Sequence, residues 1–271
     1  MTSLDILIST INERIHNVPA VLLPPCHGVR YVVCWQQDGY ICETPQSLVR
    51  NDVTVVTLSG RGTSRNRNYA IKHSTADICL IADDDIVYNN DSFRTIITTF
   101  EANPTLDVAT FQSDSIYEKK CFPNFSFNLA APAKNYYVSA IEIAFRRSSV
   151  TPYVLFNELT GPGAPVLQAA EDSFFVLEAV IRGLNCQFFP KTIVTHNHIS
   201  TGIRPTQSPG TIMSQGAYIR IAYRNLSRFP RYVLKAWRMS RFSNYNFLFT
   251  LHYILRGARY AHKHFKSYFF S

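Results

Sequence analysis

Short apolar runs alternate with amphipathic stretches along most of the chain. The runs over residues 4–9, 30–35 and 52–57 are rich in apolar and β-branched side chains, which predicts strands. Residues 77–82 are almost continuously apolar, which is typical of a strand that is buried on both faces. A further strand is predicted over residues 108–111. Together these runs would form the core of a sheet.

Helices are predicted between and after these runs. Ser64 would cap a helix over residues 65–74, and Asp91 or Ser92 would cap the next one. A later helix would end at Gly183, a common helix-terminating residue. Alternating strands and helices favour an α/β fold with a mostly parallel sheet, and ligands bind such sheets beyond the carboxyl ends of the strands.

The pattern divides the chain into two regions. Residues 1–212 carry the alternation of strands and helices, with a less regular aromatic stretch over residues 112–160, and the rest is predicted to be helical. We therefore predict an α/β domain over residues 1–212, followed by a basic, aromatic helical extension over residues 213–271. No apolar run reaches the ~18–20 residues that a membrane-spanning helix needs.

Charge separates nearly the same two regions. The 271 residues carry a net charge of +8, but Glu178 is the last acidic residue, and 14 Lys and Arg follow it. The preceding residues hold the other 13 basic residues and all 19 acidic ones, a net charge of −6. This asymmetry indicates an anionic partner for the C-terminal region, either membrane headgroups or nucleic acid.

Composition narrows the class of protein. Hydrophobic residues make up 46% of the chain, enough for a sizeable core, and this excludes wholesale disorder. The six cysteines show neither a C-x-x-C pair nor zinc spacing, and the first residues do not resemble a signal peptide. We expect a cytoplasmic protein, either free or peripheral on the inner face of the cell membrane.

An aspartate triplet, Asp83, Asp84 and Asp85, follows one apolar run without a spacer. Three adjacent carboxylates repel one another unless a cation or a basic side chain compensates them. Mg²⁺ or Mn²⁺ would do so and would leave coordination positions for phosphate oxygens. The triplet is therefore either a divalent-metal site at the ligand-binding edge of the sheet or a solvated acidic turn.

Two further groups of basic side chains have two interpretations each. Arg61, Arg65 and Arg67 precede the triplet, where they would either bind a polyphosphate or lie solvated on a surface helix. His196 and His198 share one face if their segment is extended. They are either a further metal ligand or ordinary, partly buried histidines.

A carboxylate pair, Glu171 and Asp172, opens a predicted helix after the loop of Gly161, Pro162 and Gly163. Acidic residues are common at this position because the helix dipole favours them. Alternatively, one of the pair is a general base, which has to contact the proton that it removes. The glycines of the loop would then let a substrate approach closely.

In this order the motifs resemble those of family 2 glycosyltransferases, nucleotide-sugar enzymes of the GT-A fold. The matching segments are S-T-I-N-E at 9–13, G-T-S-R-N-R-N-Y-A-I at 62–71, I-A-D-D-D at 81–85, G-P-G-A at 161–164 and E-D-S-F-F at 171–175. V-T-H at 194–196 with S-T-G at 200–202 resembles a histidine segment of bacterial polysaccharide-assembly members. The resemblance covers about residues 1–205, and it implies a GT-A, Rossmann-like sheet flanked by helices.

The resemblance also implies roles for individual residues. The residues expected at the donor nucleotide and its diphosphate are Thr10, Asn12, Glu13, Gln36, Arg65, Arg67, Asn68, Asp83 and Asp84. The ligands expected for Mg²⁺ or Mn²⁺ are Asp83, Asp85 and His196.

Catalysis is expected at the second acidic motif. By resemblance, Asp172 would be the catalytic base together with Glu171, and Gly161 and Gly163 would border the acceptor. One departure concerns the donor, because W-Q-Q stands at 35–37 where the family often places an acidic pair that grips the base or ribose.

The function that the resemblance implies is metal-dependent, inverting sugar transfer. The donor would be a nucleotide-diphosphate sugar, with UDP first, and the acceptor a hydroxyl of a glycan or lipid-linked molecule in surface-polysaccharide synthesis. A sugar nucleotidylyltransferase stays open, although it would be expected to carry a Gly-rich loop where residues 10–14 contain no Gly. A third possibility is a nucleic-acid-binding protein that uses the basic C-terminal region. This function would leave the aspartate triplet without a role, so no nucleic-acid partner is expected.

The C-terminal region alternates basic and aromatic side chains over residues 216–271. Such a stretch either lies in a membrane interface, where anionic lipids attract its basic residues, or caps the catalytic domain with its arginines solvated. A lipid-linked acceptor would give the first arrangement a use.

Overall fold

Strands and helices alternate in the computed structural model, which describes residues 2–40, 42–115, 117, 120–196, 208–223 and 225–265. The strands are β1 (Leu4–Ile11), β2 (Val29–Gln37), β3 (Val53–Ser59), β4 (Ile78–Asp83), β5 (Ile86–Val87), β6 (Val108–Ser115), β7 (Phe127–Asn128), β8 (Ile143–Arg146) and β9 (Cys186–His196). The helices are α1 (Thr63–His73), α2 (Ser92–Ala102), α3 (Arg147–Val150), α4 (Glu171–Ile181), α5 (Pro209–Ala222), α6 (Arg228–Ser240) and α7 (Phe247–His264).

Within these described ranges the strands form one mixed sheet in the order β3-β2-β1-β4-β8-β6-β9-β5, with β7 paired to β9. β1 runs parallel to β2 and β4, and β2 runs parallel to β3. β8 lies antiparallel between β4 and β6, and β9 runs parallel to β6. The strands that end at one common edge are therefore β1, β2, β3, β4, β6 and β9.

Apolar side chains cover both faces of this sheet. Ile6 of β1 and Leu80 of β4 belong to a buried cluster on one face. Leu7 and Ile81, their neighbours along the two strands, belong to a second cluster on the other face. This confirms that the apolar run ending at Ala82 is a strand buried on both sides, which fixes the position of the residues that follow it.

The start of α1 differs from the sequence prediction. Gly62 occupies the N-cap position, and Ser64 is the second residue of the helix rather than its cap. The Ser64 hydroxyl is used elsewhere, because it donates a hydrogen bond to the Thr160 carbonyl oxygen at 2.7 Å. Asp91 does occupy the N-cap position of α2, but its side chain makes no capping hydrogen bond.

The stretch that looked irregular contains short elements. A 3-10 helix over Ala140–Glu142 leads into β8, which inserts between β4 and β6. Because β8 is antiparallel to both neighbours, the sheet is mixed although most of its strands run in one direction.

The C-terminal helices pack against α4. The Phe174 ring of α4 stacks on Phe265, with centroids 5.7 Å apart, and meets Tyr218 of α5 edge-on at 5.8 Å. α5 and α7 approach so closely that a Cβ atom on Gly216 would lie 1.9 Å from the Ile254 carbonyl oxygen. These contacts join the helical region to the helix that opens with the acidic pair.

The limits of the C-terminal region follow from its first helix. α5 begins at Pro209, so the expected boundary after residue 212 lies within the first turn of this helix. In the described part of the chain, no helix combines the length and the apolar character that crossing a bilayer would require.

Candidate functional site

The aspartate triplet lies where strands end together. Ser9 of β1 is paired with Asp83 of β4 in the sheet. Ile86, just after the triplet, is paired with His196 at the end of β9. The sheet thus brings the triplet and His196 to the edge at which ligand binding was expected.

Arg14 lies against the triplet. Its Nε donates to both carboxylate oxygens of Asp84 at 3.0 Å, and its Nη2 donates to Asp85 Oδ2 at 3.0 Å. Nη2 also contacts Asp84 Oδ1. Thr10 Oγ1 donates to Asp84 Oδ2 at 2.6 Å. The Asp84 side chain is only 2% exposed, so Arg14 supplies the positive charge that this buried carboxylate needs.

The pKa values of the two carboxylates that Arg14 contacts are shifted in opposite directions. Burial raises the pKa of Asp84, and the hydrogen bonds from Arg14 and Thr10 oppose this shift. Burial acts on Asp85 as well, but hydrogen bonds from His196 and Arg14 outweigh it and lower the pKa of Asp85 to about 2. Asp85 is therefore ionised near neutral pH, as a ligand for a cation has to be.

Arg67 connects the triplet to α4. Its side chain is 3% exposed, and its Nη2 donates to Asp83 Oδ1 at 3.0 Å. Its Nη1 donates to Glu171 Oε1 at 2.8 Å. The guanidinium also lies over the Phe156 ring, 5.4 Å from its centroid. Two carboxylates thus balance one buried cation, and the first turn of α4 is bonded to the end of β4.

Asp172, beside Glu171, has a different environment. Its Oδ1 accepts a hydrogen bond from the backbone N–H of Ser173 at 2.5 Å. Burial, followed by the adjacent charge of Glu171, raises the pKa of Asp172 to about 7. A carboxyl group with a pKa close to the working pH is suited to taking up a proton.

The two glycines predicted near the acceptor pack the chain on itself. Gly161 and Gly163 both adopt positive φ angles, 96° and 86°, which other residues rarely adopt. A Cβ atom on Gly163 would lie 3.0 Å from the backbone of Gly62, and one on Gly161 would lie 3.1 Å from the Glu171 side chain. The glycines therefore hold this loop close to both α1 and the acidic pair, and an acceptor contact there stays a prediction.

Three of the predicted donor residues lie at the ends of β1 and β2. Asn12 Oδ1 accepts from the backbone N–H of Asp38 at 2.8 Å. Gln36 is buried, and its Nε2 donates to the Gly62 carbonyl oxygen at 3.2 Å. Glu13 is exposed. These contacts leave the role of each residue toward a donor as a prediction.

Two other predicted donor residues lie on α1. The exposed Arg65 donates through Nη1 to the Ser59 carbonyl oxygen at 2.9 Å. Asn68 donates to the Phe156 carbonyl oxygen and accepts from the Phe156 N–H, both at 2.8 Å. The Asn68 amide therefore ties α1 to the segment that precedes the glycine loop.

The comparisons with known proteins concern one segment of the chain and its fold. A family model described as Glycosyl transferase family 2 matches residues 41–147, the segment that holds Arg67 and the aspartate triplet. Over this segment the chain is similar to family 2 glycosyltransferases. Comparison with curated protein sequences finds no match for this chain.

Solved structures support a GT-A-like fold for this chain. S. aureus TarS 1–349 matches with a TM-score of 0.57 and 13% identity, over 94% of this chain and 71% of that chain. TarS 1–349 in complex with UDP-GlcNAc matches with a TM-score of 0.59 and 16% identity, over 89% and 73%. TarS 1–349 in complex with UDP gives 0.58 and 16%, over 88% and 71%.

The residues present fit part of a Mg²⁺ or Mn²⁺ site. Asp85 Oδ1 lies 3.4 Å from His196 Nε2, so the two atoms are close enough to bind one cation from adjacent positions. Asp83 and Asp84 are bonded instead to Arg67 and Arg14. Across the ranges that the structure describes, no three His, Cys, Asp or Glu side chains form a metal-binding cluster. Two protein ligands are compatible with Mg²⁺, which takes its others from phosphate and water.

His198, the other histidine considered at this site, lies outside the described residues, as does the S-T-G segment at 200–202.

Two ion pairs at the site were not predicted. The pair of Arg14 with the triplet could have been suspected from the sequence, because three adjacent carboxylates need a cation and Arg14 follows the strand that ends beside them. The second pair joins Lys120 Nζ to the fully buried Glu142 at 2.8 Å. Lys120 is close enough to oppose the rise in the pKa of Asp172. No sequence pattern indicated this pair, because both residues lie in the irregular aromatic stretch.

Proposed function

We propose that this glycosyltransferase is a metal-dependent, inverting enzyme that transfers a sugar from a nucleotide-diphosphate donor to a hydroxyl group of a glycan or lipid-linked acceptor. One observation supports this most directly. Asp85 and His196, which we propose as cation ligands, lie 3.4 Å apart at the edge of the sheet, and Asp172 is a carboxyl group with a pKa of about 7. Arg67 links the two parts through its bonds to Asp83 and Glu171.

In the proposed reaction Asp172 is the general base. Its ionised carboxylate takes the proton of the acceptor hydroxyl while the hydroxyl oxygen attacks the anomeric carbon from the side opposite the leaving nucleoside diphosphate. Glu171 is bonded to Arg67 and acts as the neighbour that raises the pKa of Asp172. This direct displacement inverts the anomeric centre and requires no covalent intermediate.

Asp85 and His196, with Asp83 as a further ligand, are the residues that we propose for Mg²⁺ or Mn²⁺. When bound, the metal would stabilise the negative charge that develops on the departing diphosphate. Arg14 keeps Asp84 and Asp85 in fixed positions, and Arg67 does the same for Asp83. The protein thus arranges its ligands before the donor arrives, which lowers the entropic cost of the reaction.

A UDP-sugar is the donor that we propose first. TarS 1–349, which shares the fold of this chain, was solved in complex with UDP-GlcNAc and with UDP. The residues proposed to border the nucleotide and the diphosphate are Thr10, Asn12, Glu13, Gln36, Arg65, Arg67, Asn68, Asp83 and Asp84. The acceptor is proposed to belong to surface-polysaccharide synthesis, with the enzyme cytoplasmic and its C-terminal helices against the inner face of the membrane.

Thermal unfolding with nucleoside diphosphates tests donor and metal together. UDP, GDP and ADP are each added with and without MnCl₂. A ligand that binds only the folded state at about 100 times its Kd stabilises it by ~2.7 kcal/mol, which raises Tm by several degrees. We expect UDP with Mn²⁺ to give the largest rise. A chain that no nucleotide stabilises would contradict the proposal.

Variants separate the roles of the two acidic groups. Asp85→Asn should lose the Mn²⁺-dependent stabilisation by UDP, whereas the exposed Asp91→Asn should keep it. Asp172→Asn should bind UDP normally but fail to transfer sugar from UDP-GlcNAc or another UDP-sugar. Wild-type turnover in Asp172→Asn would show that another group removes the proton.

A further inference from the structure

Exposed apolar side chains are concentrated in the C-terminal region. Of sixteen large apolar side chains that are exposed in the described part of the chain, eight lie between residues 223 and 248. They are Tyr223, Leu226, Phe229, Val233, Leu234, Trp237, Phe242 and Leu248. A concentration of this kind on a water-facing surface indicates a binding surface.

Helix α6 presents three different arcs around its axis. The buried arc, which packs on α5 and α7, consists of Tyr232, Ala236 and Met239. At about 100° per residue, an exposed apolar arc follows over roughly 140°. It consists of Phe229, Pro230, Val233, Leu234 and Trp237. The remaining arc is basic and consists of Arg228, Arg231, Lys235 and Arg238. The apolar part of α6 is therefore much wider than its packing on the protein requires.

A groove of about 620 Å³ lies between this apolar arc and the start of α7. It is lined by Pro230, Val233, Leu234, Trp237 and Phe247. All five side chains are apolar, so the groove offers an occupant contact area but no hydrogen-bonding groups from side chains other than the indole N–H of Trp237. A hydrocarbon chain would fit such a groove, because it needs apolar contact area and no hydrogen-bonding partners.

Arginines border the aromatic rings of this surface. The Arg241 guanidinium lies over the Trp237 ring at 4.0 Å from its centroid, and that of Arg228 lies 4.8 Å from the Phe229 centroid. No acidic residue follows Glu178 in the sequence, so no Asp or Glu side chain of the C-terminal region opposes this charge. Basic groups next to rings are typical of helices that lie at the level of lipid headgroups.

We propose that this surface of α6, formed by its exposed apolar arc and the arginines beside it, binds a membrane that contains anionic lipids. The apolar side chains would enter the boundary between headgroups and acyl chains, and the arginines would contact lipid phosphates. A second copy of the chain fits less well, because it would bring the same positive charge to the contact. Nucleic acid would neutralise the arginines but would leave the apolar arc in water.

This contact deepens the proposed function, since delivery of the enzyme to a lipid-linked acceptor rests on that function. The contact itself does not depend on sugar transfer. Binding to vesicles without any sugar donor therefore tests the surface alone, and the nucleotide experiment tests the catalytic site alone.

The experiment measures binding of the full chain to vesicles of phosphatidylcholine, with and without phosphatidylglycerol. The chain has two tryptophans, of which Trp35 is 1% exposed and Trp237 is 45% exposed. A blue shift of the fluorescence on adding vesicles therefore reports on Trp237. We expect this shift, and co-sedimentation, with the phosphatidylglycerol vesicles, and we expect both to weaken as salt is added.

Matched variants test the surface. Arg238→Gln and Arg241→Gln should each weaken binding about fivefold, because one basic residue near an anionic surface contributes about that factor. The double variant Phe229→Ser with Val233→Ser should not bind the vesicles at all. Lys72→Gln with Arg94→Gln removes two exposed charges elsewhere and should leave binding unchanged.

Four results would overturn the proposal. They are equal binding to both kinds of vesicle, no binding to either, an equal loss in the Lys72 and Arg94 control, and a dimer in solution that Phe229→Ser with Val233→Ser dissociates. Circular dichroism and the UDP-dependent rise in Tm establish that each variant is folded.

Discussion

Arg67 Nη1 lies 2.8 Å from Glu171 Oε1, although 104 positions separate the two residues along the chain. The same guanidinium binds Asp83 at the end of β4. One buried side chain therefore sets the distance between the aspartate triplet and the first turn of α4. In the proposed reaction, which has to align a donor, an acceptor and a base, this distance is part of the catalytic geometry.

Replacing Arg67 with Met should destabilise the protein strongly. The variant leaves Asp83 and Glu171 without their shared cation, and removing one partner of a buried ion pair costs about 3–5 kcal/mol in the free energy of unfolding. Urea unfolding measures this loss. The double variant Arg67→Met with Glu171→Gln should recover part of it, because one of the uncompensated charges is gone. A double variant no more stable than the single one would show that Glu171 is not the charge that Arg67 balances.

The rate of sugar transfer should depend on the ionisation of Asp172. Because its pKa is about 7 and the base has to be deprotonated, kcat/KM should rise with pH and level off above pH 7. Glu171→Gln removes a charge that raises this pKa, so the midpoint of its profile should move to lower pH. A midpoint that does not move in this variant would argue against Asp172 as the titrating group.

Asp172→Asn should be more stable than the wild type above pH 7. Asp172 has a higher pKa in the folded state than its ordinary value of 3.8, so wild-type stability falls as pH rises from about 4 to about 7. Asn cannot ionise and escapes this loss. The difference should reach up to about 4 kcal/mol, the equivalent of about three pK units. Denaturant unfolding at both ends of this pH range measures it, and a constant difference would contradict the assignment.

Arg14→Met should weaken the protein through Asp84. The carboxylate is buried and would lose its cation, at a cost of about 1–3 kcal/mol. The pKa of Asp84 should then rise further, so the deficit should be larger at neutral pH than in acid, where Asp84 is protonated in both folded and unfolded states. Thermal unfolding of Arg14→Met with Asp84→Asn is the control, and it should show little pH dependence of this kind.

Gly216→Ala should destabilise the C-terminal helices. Its Cβ atom would lie 1.9 Å from the Ile254 carbonyl oxygen, so α5 and α7 would have to separate. Overpacking of this kind costs about 1–3 kcal/mol or more, which outweighs the ~1 kcal/mol that Ala gains over Gly in a helix. Differential scanning calorimetry should show a lower Tm, whereas the neighbouring Gln215→Ala should have little effect.

The local pattern was sufficient to predict the strands that carry the site. The apolar run before Asp83 was correctly predicted as a strand buried on two sides, and the helix signals at Gly183 and after Asp91 were also correct. The prediction that Ser64 caps α1 was wrong. A hydroxyl near the start of a helix is a good cap, but the Ser64 hydroxyl is hydrogen-bonded to the Thr160 carbonyl oxygen instead. β8 was missed because its four residues carry too short a pattern to stand out.

The long-range contacts of the site could not be predicted in the same way. The sequence showed that the triplet needed a cation, but it could not show that Arg14 and Arg67 divide that role between them. Which residues meet depends on the order of the strands, and this order places the ends of β1, β4 and β9 together. The arcs of α6 illustrate the same limit, because periodicity identifies an apolar face but not how much of it a neighbouring helix covers.

The stacking of Phe174 on Phe265 has a mechanical consequence. Phe174 follows Asp172 by two positions, and its ring contacts both Phe265, directly after α7, and Tyr218 of α5. The C-terminal helices therefore buttress the turn that holds the proposed base, and cutting them away would disturb catalysis and attachment at once. In the proposed membrane-bound state, a displacement of the C-terminal helices would therefore be transmitted to the first turn of α4 through these ring contacts.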